Sequence, residues 1–345
     1  MTQVNEQGRR RRPSLADVAS HAGVSQGAVS KVIRNAYGVS PAMQQRVQRA
    51  IDDLNYRPRT GARGMRGQTF TIAIGSEMPQ LGNDFFTQVT TGAAHGLAGS
   101  GYQLIIAPAL DGEGDKKVLD ALVDRQVDGI LAISLEVTPS YLDRLAEYVP
   151  MVLVGRHDRQ INYDTVTNDD RAGVTSAMEH LLALGHRDIA HLTVGSGPTR
   201  ADSSTPHAIR QATYERCMLE NELRPHVVIS DASENSAYIA TRLLLDDRAR
   251  RPTAIFAGND TLAIGALRAV AERGLSAREV SVVGYDNIEL ASHPLVSLTT
   301  VDQYGVKIGA TAIELLMDRI RETPTEPRHV ELDPMLVIRN SSAQR

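Results

Sequence analysis

Over the first sixty residues, apolar side chains recur at helical spacing and not in strand-like alternation. Leu15, Val18, Ala19 and Ala22 form an i, i+3, i+4, i+7 stripe, with Ser14 in front as a cap. Gly23 is placed to stop that helix, with Val24 turned inward after it. Ser25 caps a second helix over 26–34 whose Val29, Val32 and Ile33 share one inward face. A third starts at Ser40-Pro41, cap then proline, and runs through Met43, Val47, Ala50, Ile51 and Leu54. Three helices with a tight glycine-containing turn between the first two predict an all-α helix-turn-helix domain over 13–57.

From Phe70 the pattern changes to short apolar runs separated by amphipathic helices. The runs are 72–75, 103–107, 129–134, 151–155, 189–194, 227–229, 254–258 and 280–284. Helical stretches between them include 86–97, 116–125, 172–184, 207–222, 237–245 and 261–273. Repeating strand–helix units with nearly continuous apolar strands predict parallel sheets covered on both faces. Eight or nine such units exceed one comfortable sheet, so the α/β body should divide into two similar parallel-sheet subdomains. A ligand would then lie in the cleft beyond the carboxyl ends of the strands.

Charge alters the picture of the whole. The 345 residues carry a formal charge of -4, which on average argues against a nucleic-acid binder. Residues 1–66, however, hold 12 Lys and Arg against 4 acids, a surplus of +8, which leaves -12 for the rest. Such an asymmetry fits a basic reading head on an acidic body, although Arg9 to Arg12 supply half of it and also read as a solvated basic tail over 1–12. No apolar signal region follows those arginines, and no membrane span is expected. The single Cys217 excludes an internal disulfide and fits a reducing, cytoplasmic setting.

The second helix spends its apolar residues inward and offers Gln26, Gly27, Ser30, Lys31 and Arg34 outward. These are short or hydrogen-bonding groups that let a helix approach base edges: Gln can pair with adenine, Lys can donate to guanine. Ser25 and Ser40, at helix N-termini, suit phosphate oxygens. Solvated polar positions on a small helical domain are the plainer alternative. Enzymatic signatures are missing: there is no GxSxG, HExxH, Walker A or complete dinucleotide fingerprint. His180, His186 and His191 do not share a helix face, so no metal site, cofactor or catalytic residue is expected.

The stretches LADVASHAGVSQGAVSKVIRN and VSPAMQQRVQRAIDDLNYRP resemble the DNA-binding headpiece of the lactose-repressor (LacI/GalR) family of bacterial transcription regulators. The segments DGILAIS, VPMVLVGR, GHRDIAHLTV, AIFAGNDTLAIGALRAVAERG, VSVVGYDN and LTTVDQ are similar to that family's effector domain, itself like type I periplasmic sugar-binding proteins. The resemblance implies a homodimeric repressor on a near-palindromic operator, controlled by a small sugar-like effector. A nucleoside or nucleobase corepressor is the alternative ligand. A sugar receptor without DNA binding and an α/β enzyme are the alternative classes. It places base contacts at Gln26, Gly27 and Lys31, where glycine departs from the usual side-chain reader. It makes 58–67 a hinge that folds on the operator, with Arg59 and Arg63 on phosphates, Ala62 in close contact and Met65 as a minor-groove wedge. Gly61 and Gly64 should make that hinge harder to order.

For the body, 68–345, the resemblance implies three crossings between subdomains, giving a first at about 68–165 plus 300–327 and a second at about 166–299 plus 328–345. It places effector contacts at Phe85, Phe86, Arg210, Asn259 and Asp286. All but Asn259 have a plainer alternative: Arg210 paired with Glu215 or Asp202, Asp286 capping the next turn, the two Phe in the core. Asp231-Ala232-Ser233 stands where the family often has a stacking aromatic, and the chain has no Trp. The chain ends without the heptad helix of the family's tetramers, so a dimer is expected.

Overall fold

The computed structural model describes residues 13–33, 37–56, 69–77, 83–109, 114–135, 137–157, 162–195, 205–247, 251–322 and 326–345. They fall into two compact units, 1–69 and 70–345.

In the first unit, α1 (Leu15–Ala22), α2 (Gln26–Ile33) and α3 (Pro41–Asp53) enclose Val18, Ala19, Ala22, Val29, Val47 and Ala50. Ser14 and Asp17 form a reciprocal capping box: Asp17 N–H donates to Ser14 Oγ at 3.3 Å, and Ser14 N–H to Asp17 Oδ2 at 2.7 Å. Gly23 takes the left-handed conformation, φ 64°, and Val24 N–H closes back on Ala19 O at 3.0 Å. The three-residue turn is thus fixed by one residue that tolerates positive φ, and it sets the angle at which α2 leaves α1.

The second unit holds two six-stranded sheets. The first contains β1 (Thr71–Glu77), β2 (Gln103–Ala109), β3 (Gly129–Ile133), β4 (Met151–Val154), β5 (Asp164–Asn168) and β11 (His329–Leu332), in the order β11-β5-β4-β3-β1-β2, all parallel. The second contains β6 (Ile189–Val194), β7 (His226–Ser230), β8 (Ala254–Ala257), β9 (Ser281–Tyr285), β10 (Thr299–Asp302) and β12 (Met335–Val337), in the order β12-β10-β9-β8-β6-β7. Here β12 runs antiparallel to β10, so this sheet is mostly and not wholly parallel. Helices α4 (Asp84–Gly96) and α11 (Gly305–Arg321) cover one face of the first sheet; α5 (Gly114–Asp124) and α6 (Pro139–Ala146) cover the other. Helices α7 (Asp170–Ala183) and α8 (Pro206–Glu220) cover one face of the second; α9 (Glu234–Asp246) and α10 (Asp260–Glu272) cover the other.

The chain passes between the two sheets after β5, after β10 and between β11 and β12. The expected crossings at 165 and 300 cut through strands, and β11, expected in the second half, pairs with β5 in the first. The reason is chemical: β5 reads Asp-Thr-Val-Thr-Asn and carries no apolar run, yet all five residues are buried. Three of its four polar side chains, those of Asp164, Thr165 and Asn168, are bonded from across the fold. Asp164 accepts from Arg319 at 2.7 Å and from Arg328 at 2.8 Å. Burial pushes the Asp164 carboxyl up, but these hydrogen bonds outweigh it and hold the group below its ordinary value.

Helices α4 and α11 meet at two glycines. A Cβ on Gly92 of α4 would fall inside the Val306 carbonyl of α11, and one on Gly309 of α11 inside the Val89 carbonyl of α4. The two backbones therefore touch, which fixes α4 and α11 as one layer.

Candidate functional site

On the outer face of α2, Gln26, Gly27 and Lys31 are exposed and Ser30 is half-buried. A Cβ on Gly27 would meet only Ser25 Oγ, at 3.8 Å, so the fold leaves that position open and does not itself require glycine there. Ser25 Oγ accepts from Ala28 N–H at 3.2 Å and Ser40 Oγ from Met43 N–H at 3.3 Å. Each hydroxyl keeps its own proton for an outside acceptor such as a phosphate oxygen. The spacing of α2 thus presents a flat, hydrogen-bonding surface without bulk. Arg34, Arg59, Ala62, Arg63 and Met65 lie outside the described residues, as does the Arg9 to Arg12 run.

The body builds a second polar centre around Arg210. On α8, His207, Arg210 and Tyr214 follow at i, i+3 and i+7 and so face the sheet beneath. The Arg210 guanidinium lies 3.7 Å over the ring of Tyr285, at the end of β9. Its Nε donates to Asp170 Oδ1 at 2.7 Å, one Nη to Gly258 O at 2.8 Å and the other to Gln303 Oε1 at 3.4 Å. Asp286 stands 3.8 Å away and accepts a short hydrogen bond from Gln303 Nε2. His157 Nε2 lies 3.1 Å from the other oxygen of Asp170. Arg210, Asp170, Gln303 and Asp286 are all buried.

Electrostatics divides the carboxylates. Burial opposes the charge on Asp170, but Arg210 and His157 overcome it, and the carboxyl lies below its usual range. Asp286 is pushed well up by burial despite Arg210, with Asp260 nearby adding to the shift. Asp260, also buried, is pushed up to about 7 although Thr300 and the Ile288 N–H bond it. The centre therefore holds one strongly ionised carboxylate against one buried guanidinium, with two further carboxyls that resist ionising.

Asp286 has φ 119°, a region side chains rarely adopt, and Asn287 follows at φ 49°. Asn287 then joins the halves: its carbonyl accepts from Gln88 Nε2 of α4 at 3.1 Å, its amide donates to Asp302 at 3.0 Å, and its Oδ1 accepts from Arg339 at 2.8 Å. The strained turn thus ties the polar centre to the layer formed by α4 and α11.

Of the five residues expected at a ligand cleft, Arg210 and Asp286 come together as anticipated in space. Asn259 lies one residue past Gly258, but its Oδ1 is spent capping α10 through Leu262 N–H at 2.9 Å. Phe86 corrects the expectation: it is 3% exposed and sits in the first sheet's core with Val89 and Ala93, the i+3 and i+7 positions of its own face. Phe85 is only partly covered and lies beside Gly305. Glu215, one alternative partner for Arg210, is bonded by Gln211, while the other, Asp202, lies outside the described residues; the turn after Asp286 is bonded by Asp260 and not by Asp286. Asp170, Gln303, Tyr285 and His157 were not anticipated. The signal available for Asp170 was an acid in the first turn of a helix directly after a strand; nothing local marks Gln303.

The remaining histidines take structural places. His186 lies between Thr253 Oγ1 at 3.0 Å and Ser281 Oγ at 2.9 Å, and His180 beside Ser342 Oγ at 2.9 Å. His191 faces the Phe256 carbonyl at 2.9 Å and stacks between Tyr214 and Phe256. Cys217 is buried in α8, and burial raises its thiol. Among the described residues no helix is long and apolar enough to cross a membrane.

Residues 14–59 match the family "Bacterial regulatory proteins, lacI family", and residues 178–342 match a "Periplasmic binding protein-like domain". The chain is 32% identical over 340 residues to the HTH-type transcriptional repressor PurR of Aliivibrio fischeri, covering 96% of this chain and 99% of that one. It is also 32% identical over 335 residues to the PurR repressor of Vibrio campbellii, covering 95% and 98%. Among solved structures it is similar to the lac repressor dimer bound to operator and an anti-inducer (TM-score 0.81, 26% identity, 96% of this chain, 100% of that one). It is likewise similar to the regulator CelR in complex with cellobiose (TM-score 0.69, 31% identity, 96% and 100%). A third neighbour is a LacI-family regulator from Enterococcus faecium with bound ribose (TM-score 0.69, 26% identity, 80% and 99%).

Proposed function

The chain belongs to the lacI family of bacterial regulatory proteins and is a DNA-binding transcriptional repressor, and from that premise we propose that it binds a near-palindromic operator as a homodimer and releases or grips it according to a small polar effector. It is a regulator and not an enzyme, like the repressors it matches. The observation that carries the effector reading is the Arg210 centre. It gathers groups from α7, α8, β9 and the segment after β10, and it adjoins the Asn287 turn that bonds across to α4. A ligand that repacks this centre has a direct mechanical route to the relation between the halves, which is what differential binding to two states requires.

In this reading Gln26 and Lys31 meet base edges, Ser25, Ser30, Arg34 and Ser40 position the helix on phosphates, and Arg59, Ala62, Arg63 and Met65 form the minor-groove hinge. Gly27 offers no side-chain contact, so one base position is read weakly. The effector is sugar-like, as solved relatives carry cellobiose and ribose, with a nucleoside or nucleobase as the alternative. Dimerisation is supported by edge strand β2, which bares Ile105 and Ile106, and by Ile229 on edge strand β7 with Ile239 and Leu243 on α9. A repressor of this kind works beside the chromosome, in the cytoplasm.

The test is operator binding by the full chain, measured by fluorescence anisotropy on genomic fragments recovered by footprinting. The expected result is affinity that changes with an added effector in the wild type and stays constant in Arg210→Met. Effector-sensitive binding by Arg210→Met would remove the centre from the mechanism.

A further inference from the structure

Gly258 follows β8 with no side chain, and the space over its Cα is bordered by two polar atoms without partners. A methyl on Gly258 would lie 3.1 Å from His207 Nδ1 and 3.3 Å from Thr193 Oγ1. Both atoms are buried and make no hydrogen bond among the described residues. Thr193, near the end of β6, is 1% exposed; His207, in the first turn of α8, is partly covered with its Nδ1 turned inward. Two residues back on the same face of β6, His191 has its Nδ1 at the Phe256 carbonyl and its buried Nε2 unpartnered. Buried polar atoms are nearly always paired, because an unpaired one costs stability. Here Thr193 Oγ1 and His207 Nδ1 meet one helical turn from Arg210, over the residue whose carbonyl Arg210 holds.

Charge narrows what could satisfy them. Three of the five Arg210 N–H groups are engaged, by Asp170, Gly258 O and Gln303, which leaves two for a ligand. An anion entering here would find the guanidinium charge already matched by Asp170, the ionised carboxylate of the centre, and would be repelled by it. Burial, then the charge of Arg210, pushes His207 down to about 3, so its imidazole is neutral at physiological pH and can accept as well as donate. A threonine hydroxyl has the same dual capacity, and a ligand hydroxyl matches both.

Building on the effector reading of the cleft, we propose that Thr193 and His207 form a second polar subsite, over Gly258, that takes a hydroxyl of a neutral polyhydroxyl ligand and selects against phosphorylated or carboxylated ones. Arg210 and Asp286 would orient one part of such a ligand, and the Thr193–His207 pair another.

Calorimetric titration of the full chain with D-ribose, D-glucose, cellobiose and guanosine, beside ribose 5-phosphate and glucose 6-phosphate, tests the ligand class. The expected binder is a neutral member; a phosphorylated probe that binds more tightly than its neutral counterpart overturns it. With the binding probe, Thr193→Val and Gly258→Ala should each lose about tenfold in affinity, the loss of one buried hydrogen bond. Wild-type affinity in both variants overturns the subsite. Arg210→Lys separates the two readings, since unchanged probe binding there would sink the cleft itself. An unliganded arm decides even where no probe binds. Replacing an unpaired buried hydroxyl by an apolar isostere should raise the Tm of Thr193→Val by about 2–4 °C, whereas a drop would mean that the hydroxyl has a structural partner and the subsite is wrong.

Discussion

His191 illustrates how position decides the chemistry of a residue. Stacked between Tyr214 and Phe256 with no exposed surface, its ring is pushed down to about 4 by burial, against the pull of the Phe256 carbonyl and with the help of Arg210. Its folded pKa lies below the unfolded value, so the unfolded chain takes up a proton that the folded chain refuses between about pH 6.5 and 4. Stability from this group is therefore complete above pH 6.5 and is lost as pH falls toward 4. Buried carboxyls such as Asp260 titrate in the opposite sense, so the measurement must be a difference. Relative to His191→Gln, the wild type should lose on the order of 2–4 kcal/mol between pH 7 and 4 in urea denaturation. A pH-independent difference would show that the imidazole charges freely inside the fold. Nothing in the sequence around His191 revealed this, because a histidine in an apolar strand reads the same whether it is stacked or solvated.

Among elements, the pairing of α4 with α11 depends most on particular small residues. Gly92 and Gly309 let the two backbones touch, and the layer so formed carries Gln88, the residue that bonds Asn287 beside the polar centre. Gly92→Ala would drive a methyl into the Val306 carbonyl, and overpacking of this kind costs about 1–3 kcal/mol. Chemical denaturation should register that loss, and effector-dependent operator binding should weaken with it, since α4 would shift relative to Asn287. An Ala variant as stable as wild type would mean that the helices part without cost. Apolar strands and amphipathic helices were legible here from periodicity. Strand β5 was not, since its polar sequence looks like a loop until Arg319, Arg328, His329 and Tyr285 supply partners for Asp164, Thr165 and Asn168. That strand displaced the first predicted crossing by a few residues. The third moved because β11 joins β5 at the edge of the first sheet.

For the molecule as a whole, the +8 of residues 1–66 and the -12 of the remainder describe two units with different work. Removing 1–66 should leave a folded, effector-binding body with no measurable operator affinity, checked by circular dichroism, calorimetry and anisotropy. Retained specific binding would move the reading head elsewhere. In the intact chain, binding should fall steeply with salt, because a basic head on phosphate releases counterions and the acidic body adds none.

The sequence by itself determined the two-part organisation, the helix-turn-helix, the alternation of strands and helices, and the residues that α2 turns outward. These follow from local rules: apolar spacing, caps at Ser14, Ser25 and Ser40, and Gly23 at the positive-φ turn between α1 and α2. It also marked Arg210 and Asp286 through resemblance. Only the tertiary structure decided that Asp170 and Gln303 complete their centre, that Phe86 belongs to the core, and that Thr193 and His207 meet over Gly258. Those facts depend on pairings across 14 to 93 residues of chain, where burial and charge act between atoms that no local pattern brings together.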